Sequence, residues 1–267
     1  MLRSIYGRNE IGIKSFGLIS IQIEYSKKEN LMNSGFNSQH DPFASSTHMQ
    51  FVAQASADTR MNFIRKTYAL FLAGVLMAVA MGALCLNVAP VANIAITILR
   101  NPILAIALIL GGSIGAQAVS RVEGLNYLAL FGFTGLMGLI FAPIVAMYAP
   151  SVVGQAAFLS IVIFGGLTAY SLTTRKDFSY LGGMLFVGIW AIVIAGIANV
   201  FWFKNSGMEY WLAWGTLFIS SGFVLYKTSN MLHVYGERDY CAAALGLFIS
   251  FFNIFMSLLR ILGGSRR

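Results

Sequence analysis

From Tyr68 onward the chain alternates long apolar blocks with short polar joints. The blocks fall near residues 67–89, 102–120, 126–149, 152–173, 179–203, 208–226 and 240–262. Each is long enough, as a helix, to cross about 30 Å of hydrocarbon. Lipid offers the backbone no hydrogen-bond partner, so only helices and closed barrels span it. Apolar runs of about 20 residues without alternation do not fit the strands of a barrel. The pattern predicts an all-α polytopic membrane bundle of six or seven transmembrane helices. Short joints make successive helices antiparallel, and Pro143, in IFAPIV, is expected to kink the third.

Residues 1–60 follow another pattern. KKEN, NSGFNSQHDPFASSTH and QASADTR are polar and rich in small residues. Nothing there builds a core, so a disordered cytoplasmic tail is expected, followed by a transmembrane domain over 61–267. FGLISIQI (16–23) is too short to span and lacks a small-residue cleavage site. Translation from Met1 and from Met32 both fit this stretch.

Composition agrees with the blocks. Hydrophobic residues make up 57% of the chain and charged residues 10%, with a mean hydropathy of +0.72. A soluble domain carries about 25% charged residues. The formal net charge of +8 would suggest nucleic acid in a soluble protein, but here the positive charges lie outside the apolar blocks, except Arg260 near the end of the last one. They read as topology signals and as attraction to anionic membrane lipid, not as a nucleic-acid surface. Arg60, Arg65 and Lys66 flank the first block. Arg121, then Arg175 and Lys176, then Lys227 and Arg238 enrich the second, fourth and sixth connections. That places those joints and the N-terminus on the cytoplasmic side. Arg260, Arg266 and Arg267 conflict with this frame if the last block crosses, and agree with it if that block enters and returns. The block's length favours crossing, so we take seven helices.

Candidate chemistry is sparse. The chain has no HExxH, GxSxG or Walker pattern, and neither cysteine, Cys85 or Cys241, belongs to a CxxC pair. No metal site, cofactor or enzymatic activity is expected, and the two thiols read as small buried hydrophobes. Glu209, at the very start of the sixth block, is the one Asp or Glu inside any block, whereas ion carriers place ionisable groups at membrane depth. Asn199 and Asn253 are the strongest polar candidates inside the blocks, because a buried amide needs several partners. They could line a pore or gate, or simply bond between helices. Among the loop acids, Asp177 and Asp239 are positioned to attract cations at the cytoplasmic side, and Asp177 is also expected to pair with Arg175 or Lys176.

Three segments carry a resemblance: FTGLMGLIFAPI (133–144), the run from Ala156 to Trp202 with its TTRKDFSYLGG loop, and LYKTSNMLHVYGERDYCAAALGLFISFFNIFMSLLRILGG (225–264). Together they resemble the Bax inhibitor-1 family, and within it the bacterial YccA-type branch. The resemblance implies a compact bundle of six or seven helices with a short, central last helix. It implies a place in the bacterial inner membrane and modulation of the membrane-anchored ATP-dependent protease FtsH. It also implies a pH-sensitive calcium leak through a pair of aspartates. Here Lys227, in YKTSN, and Ser250, in LFISFFN, stand at those aspartate positions. Neither side chain can share a proton as a carboxylate pair does, and a lysine repels Ca²⁺. Lys227 is expected either to snorkel from a helix end to the headgroups or to contact a carbonyl or Asp239.

Overall fold

The computed structural model describes residues 57–174, 176–233, 235–236 and 239–264, and the expected tail lies outside them up to residue 56. Every regular element among them is helical. In chain order they are α1 (Ala57–Asn87), α2 (Ala89–Arg100), α3 (Pro102–Val119), α4 (Asn126–Ala146), α5 (Pro150–Thr173), α6 (Leu181–Ala198), a π-turn (Asn199–Phe203), α7 (Ser206–His233) and α8 (Tyr240–Gly264). Six of them, α1, α3, α4, α5, α6 with its π-turn, and α8, are both long and strongly apolar enough to cross a membrane. Helix α7 has the length as well, and holds the apolar block expected over 208–226.

Two differences from the sequence pattern have local causes. Helix α1 begins ten residues before the first apolar block, because its polar first turns carry Asp58 near the N-terminus, where a carboxylate suits the helix dipole. Helix α2 was not expected. It starts at Ala89 with Pro90 in its first turn, and its apolar face buries Ala95 against Cys85 and Ala142. With 12 residues it is about 18 Å long, too short to cross. Pro143 lies in the last turn of α4, where the helix is about to end.

Helix α8 holds the centre. In its most apolar stretch 72% of residues are buried, against 6% for α3 and 11% for α6. It packs against α1, α3, α4, α5 and α7. Ala242, Ala243 and Ala244 are buried on several sides at once, so neighbours approach its backbone closely. Phe71 of α1, Phe164 of α5 and Phe251 of α8 form an aromatic trio, with ring centroids 4.8, 5.5 and 5.6 Å apart. Both cysteines are fully buried and free, as expected.

Helices α1 and α4 run parallel and touch along their length. Gly74 faces Thr134, Gly135 faces Met77 and Met81, and Gly82 faces Gly138 and Ala142. Gly138 has the least space of these. A Cβ there would overlap the carbonyl of Ala78.

The ends of α8 settle how it runs. Its first residue, Tyr240, lies beside Lys66 near the start of α1 and Tyr127 at the start of α4. Its last turn lies beside Tyr148, in the α4–α5 joint, and Tyr210, at the start of α7. The 25-residue helix therefore runs from one end of the bundle to the other, about 37 Å, as one continuous element. It crosses rather than re-enters.

Two outcomes follow. Gly138→Ala should cost about 1–3 kcal/mol by overpacking, seen as a lower thermal midpoint of the purified protein. Gly132→Ala, with nothing near its Cβ position, should be close to neutral. Topology reporters placed in the α3–α4 joint and after Arg267 should report opposite sides of the membrane; the same side for both would rule out the crossing of α8.

Candidate functional site

The two positions of interest come from neighbouring helices. Lys227 lies on α7, six residues before the helix ends at His233, and Ser250 lies in the first half of α8, near its middle. The antiparallel packing of α7 on α8 brings both to one residue, Gly246. The Ser250 hydroxyl donates to the Gly246 carbonyl at 3.1 Å and is buried. A Cβ placed on Gly246 would stand 2.8 Å from Lys227 Nζ and 3.1 Å from its Cδ. A side chain here would force the flexible end of the lysine to move aside, so glycine leaves room for the lysine stem.

Lys227 is half-buried. Its ammonium lies 5.9 Å from the centre of the Phe223 ring, one turn back on the same helix, a weak cation–π contact. The guanidinium of Arg121 acts on it as a like charge. Among the described residues it makes no hydrogen bond and no ion pair. The helix continues for more than a turn beyond it, so it is not at a helix end, and it bonds neither a carbonyl nor Asp239. Asp239 is occupied elsewhere. Its Oδ2 accepts the Gly236 N–H at 3.2 Å, and its carbonyl accepts the Ala243 N–H at 2.9 Å, which starts α8. In that same joint, burial pushes the Tyr235 phenol above its usual pKa, with the Arg121 charge pulling the other way.

Asp177 belongs to a separate network that pins the α5–α6 joint onto α7. Its Oδ1 accepts the Ser179 N–H at 2.8 Å, the Ser179 hydroxyl at 2.6 Å and the Ser229 hydroxyl at 3.3 Å. Ser229 Oγ accepts the Phe178 N–H at 3.0 Å, and Ser179 and Asn230 meet at 3.0 Å. Arg175 lies outside the described residues. Asn199 closes the turn between α6 and α7. Its Oδ1 accepts the Asn205 N–H at 3.0 Å, and its carbonyl accepts the Lys204 N–H at 2.7 Å, with Lys204 in the left-handed region at φ 47°. Asn253 is half-buried on α8. The structure thus brings Lys227 and Ser250 together at Gly246, whereas Asp177 and Asn199 each hold a joint between helices and Asp239 caps the start of α8.

Sequence reading did not single out Gly246 or Ser229. Ser229 lies in the same YKTSN motif as Lys227. The role of Gly246 is visible only once the lysine is placed against it.

The geometry defines a polytopic helical membrane protein with a buried central helix and no described cluster of His, Cys, Asp and Glu that would hold a metal. Residues 60–267 match the family model described as "Inhibitor of apoptosis-promoting Bax1". The chain belongs to the Bax inhibitor-1 family. It is 33% identical to Protein lifeguard 4 of Mus musculus over 214 residues, 79% of this chain and 88% of the mouse protein. It is 39% identical to Modulator of FtsH protease YccA of Escherichia coli over 144 residues, 52% of this chain and 65% of that one. It is 33% identical to the Golgi anti-apoptotic protein of Vaccinia virus over 220 residues, 81% of this chain.

Gly246→Ala should destabilise the native protein by about 1–3 kcal/mol. In a Lys227→Ala background the same change should cost less, with a coupling of about 0.5 kcal/mol or more in a double-mutant cycle. Equal losses in both backgrounds would mean that Gly246 does not serve the lysine.

Proposed function

We propose that this chain modulates membrane-protein quality control by binding a membrane-anchored ATP-dependent protease of the FtsH type, in a bacterial inner membrane, without catalysing a reaction itself. The observation that carries this reading is the 39% identity to the Escherichia coli protein named as a modulator of that protease.

Two features of the molecule are consistent with a binding role. Helix α6 packs mainly on α7 and turns much of its surface outward. Met184, Phe186, Val187 and Ile194 are each more than 60% exposed, and the Cβ positions of Gly183 and Gly196 are open. Small residues on such a face let another helix approach at close range. The polar N-terminal stretch is the second feature, as a segment for the protease to engage. A calcium leak is the other activity that the resemblance implies. Lys227 and Ser250 supply no carboxylate to it, and the ammonium of Lys227 would repel a divalent cation.

The test is reconstitution of the full chain with the FtsH-type protease of its own host and a membrane substrate. The two should co-purify from detergent, and degradation should change severalfold when the chain is added. A chain lacking residues 1–56 should bind but have less effect. Absence of co-purification together with unchanged degradation would overturn the reading; an unaltered effect of the truncated chain would remove only the N-terminal stretch from it.

A further inference from the structure

All four tryptophans of the chain lie between Trp190 and Trp214, on α6, the π-turn and the first turns of α7. Aromatic rings gather where α6 turns into α7. Trp202 is 76% exposed and Trp211 74%, and Phe201 and Phe203 are exposed beside Trp202. The ring centroids of Phe201 and Trp202 lie 6.2 Å apart, and those of Tyr210 and Trp211 6.3 Å apart. Lys204 and Glu209, both exposed, are the charged residues between Trp190 and Tyr226. Tyr210 lies beside Gly264 in the last turn of α8, so the turn stands at the end of the bundle opposite Lys66 and Tyr240.

Backbone donors of this turn are met from inside it. The Lys204 N–H donates to the Asn199 carbonyl at 2.7 Å, and the Asn205 N–H donates to Asn199 Oδ1 at 3.0 Å. Asn205 then accepts twice. Its Oδ1 takes the Gly207 N–H at 2.8 Å, and its carbonyl takes the Glu209 N–H at 3.3 Å. The π-turn prolongs α6 as far as Phe203, and Lys204, at φ 47°, ends it. Donors satisfied in this way leave the turn with little need of bulk water.

Open water suits these rings poorly, because so many on one short turn would be a large apolar patch left wet. The hydrocarbon centre suits the turn no better, because Lys204 and Glu209 carry charge and a charge at that depth is costly. The headgroup region meets both demands. Indole rings sit there with an apolar body toward the acyl chains and a polar edge toward water. The stem of Lys204 can carry its ammonium to the lipid phosphates. We propose that the α6–α7 turn is a membrane-interface anchor, in which Phe201, Trp202, Phe203 and Trp211 seat in the phospholipid headgroup region of the leaflet at that end of the bundle. Helix α6 packs mainly on α7, so lipid at this turn gives it a second point of support.

This surface does not rest on the protease reading, and its test uses the full chain alone. The chain is placed in phosphatidylcholine vesicles whose acyl chains are brominated either near the headgroup or near the methyl end, and tryptophan emission is measured. Trp190→Phe/Trp211→Phe/Trp214→Phe keeps Trp202, and Trp190→Phe/Trp202→Phe/Trp214→Phe keeps Trp211. In both, shallow bromines should quench severalfold more than deep ones, and aqueous iodide should quench weakly. Trp202→Phe/Trp211→Phe/Trp214→Phe keeps Trp190, near the middle of the span Leu181–Phe203, and there the order of the bromines should reverse. The native chain should be quenched more by shallow bromines than by deep ones, since Trp202 and Trp211 are its most exposed tryptophans. Strong iodide quenching of Trp202 and Trp211, with little from either lipid, would put the turn in water. Quenching by neither agent would mean that another protein chain covers the rings. Either result overturns the proposal, and so does a native chain quenched no more by shallow bromines than by deep ones.

Discussion

The contact on which this structure depends is the packing of helix α8 against its neighbours. In a bilayer, apolar side chains gain nothing by leaving lipid for protein, so association rests on close packing and on hydrogen bonds between helices. Ala242, Ala243 and Ala244 make that packing possible, because all three are buried as neighbouring helices close around the first turns of α8. Further along, Leu245, Leu247, Phe248, Ile254 and Leu259 fill the spaces between the surrounding helices. The aromatic trio then fixes α1 and α5 at a set distance from α8. Peripheral helices depend on this centre indirectly, as α6 does through α7.

The arrangement around Lys227 is a second-order consequence of the same packing. An ammonium taken out of water loses much of its hydration, yet the lysine here is tolerated at a helix contact. Its stem lies along the groove that Gly246 leaves open, and its ammonium rests over the Phe223 ring. Ser250, one turn further along α8, donates its hydroxyl to the backbone of its own helix and makes no demand on the lysine. Positions that a carboxylate pair would couple by a shared proton are here joined only through the backbone of one glycine.

Much of the fold was legible because the hydrophobic blocks are long and the joints short. The block at 102–120 became α3, and the block at 152–173 became α5, each within a residue or two of its expected limits. Helix α2 was hidden because 12 residues of mixed polarity give neither a spanning run nor a solvated loop. The direction of α8 was open because charge counting and length disagreed, and only the contacts of its two ends with Lys66, Tyr127 and Tyr148 resolve it. The site was half legible. Lys227 and Ser250 stood out as residue types in unusual places. Asn199 looked like a lone buried amide, yet its partner is a backbone N–H six residues later in a turn, which no periodicity encodes.

The central position of α8 also sets an order of events during synthesis. The helix around which α1, α3, α4, α5 and α7 close leaves the ribosome after all of them. Until residues 240–264 enter the bilayer, the inner faces of the earlier helices can meet only lipid or one another. A chain stopped before Tyr240 presents the unfilled groove of Phe71 and Phe164 to the membrane, and closure of the core waits on the entry of α8.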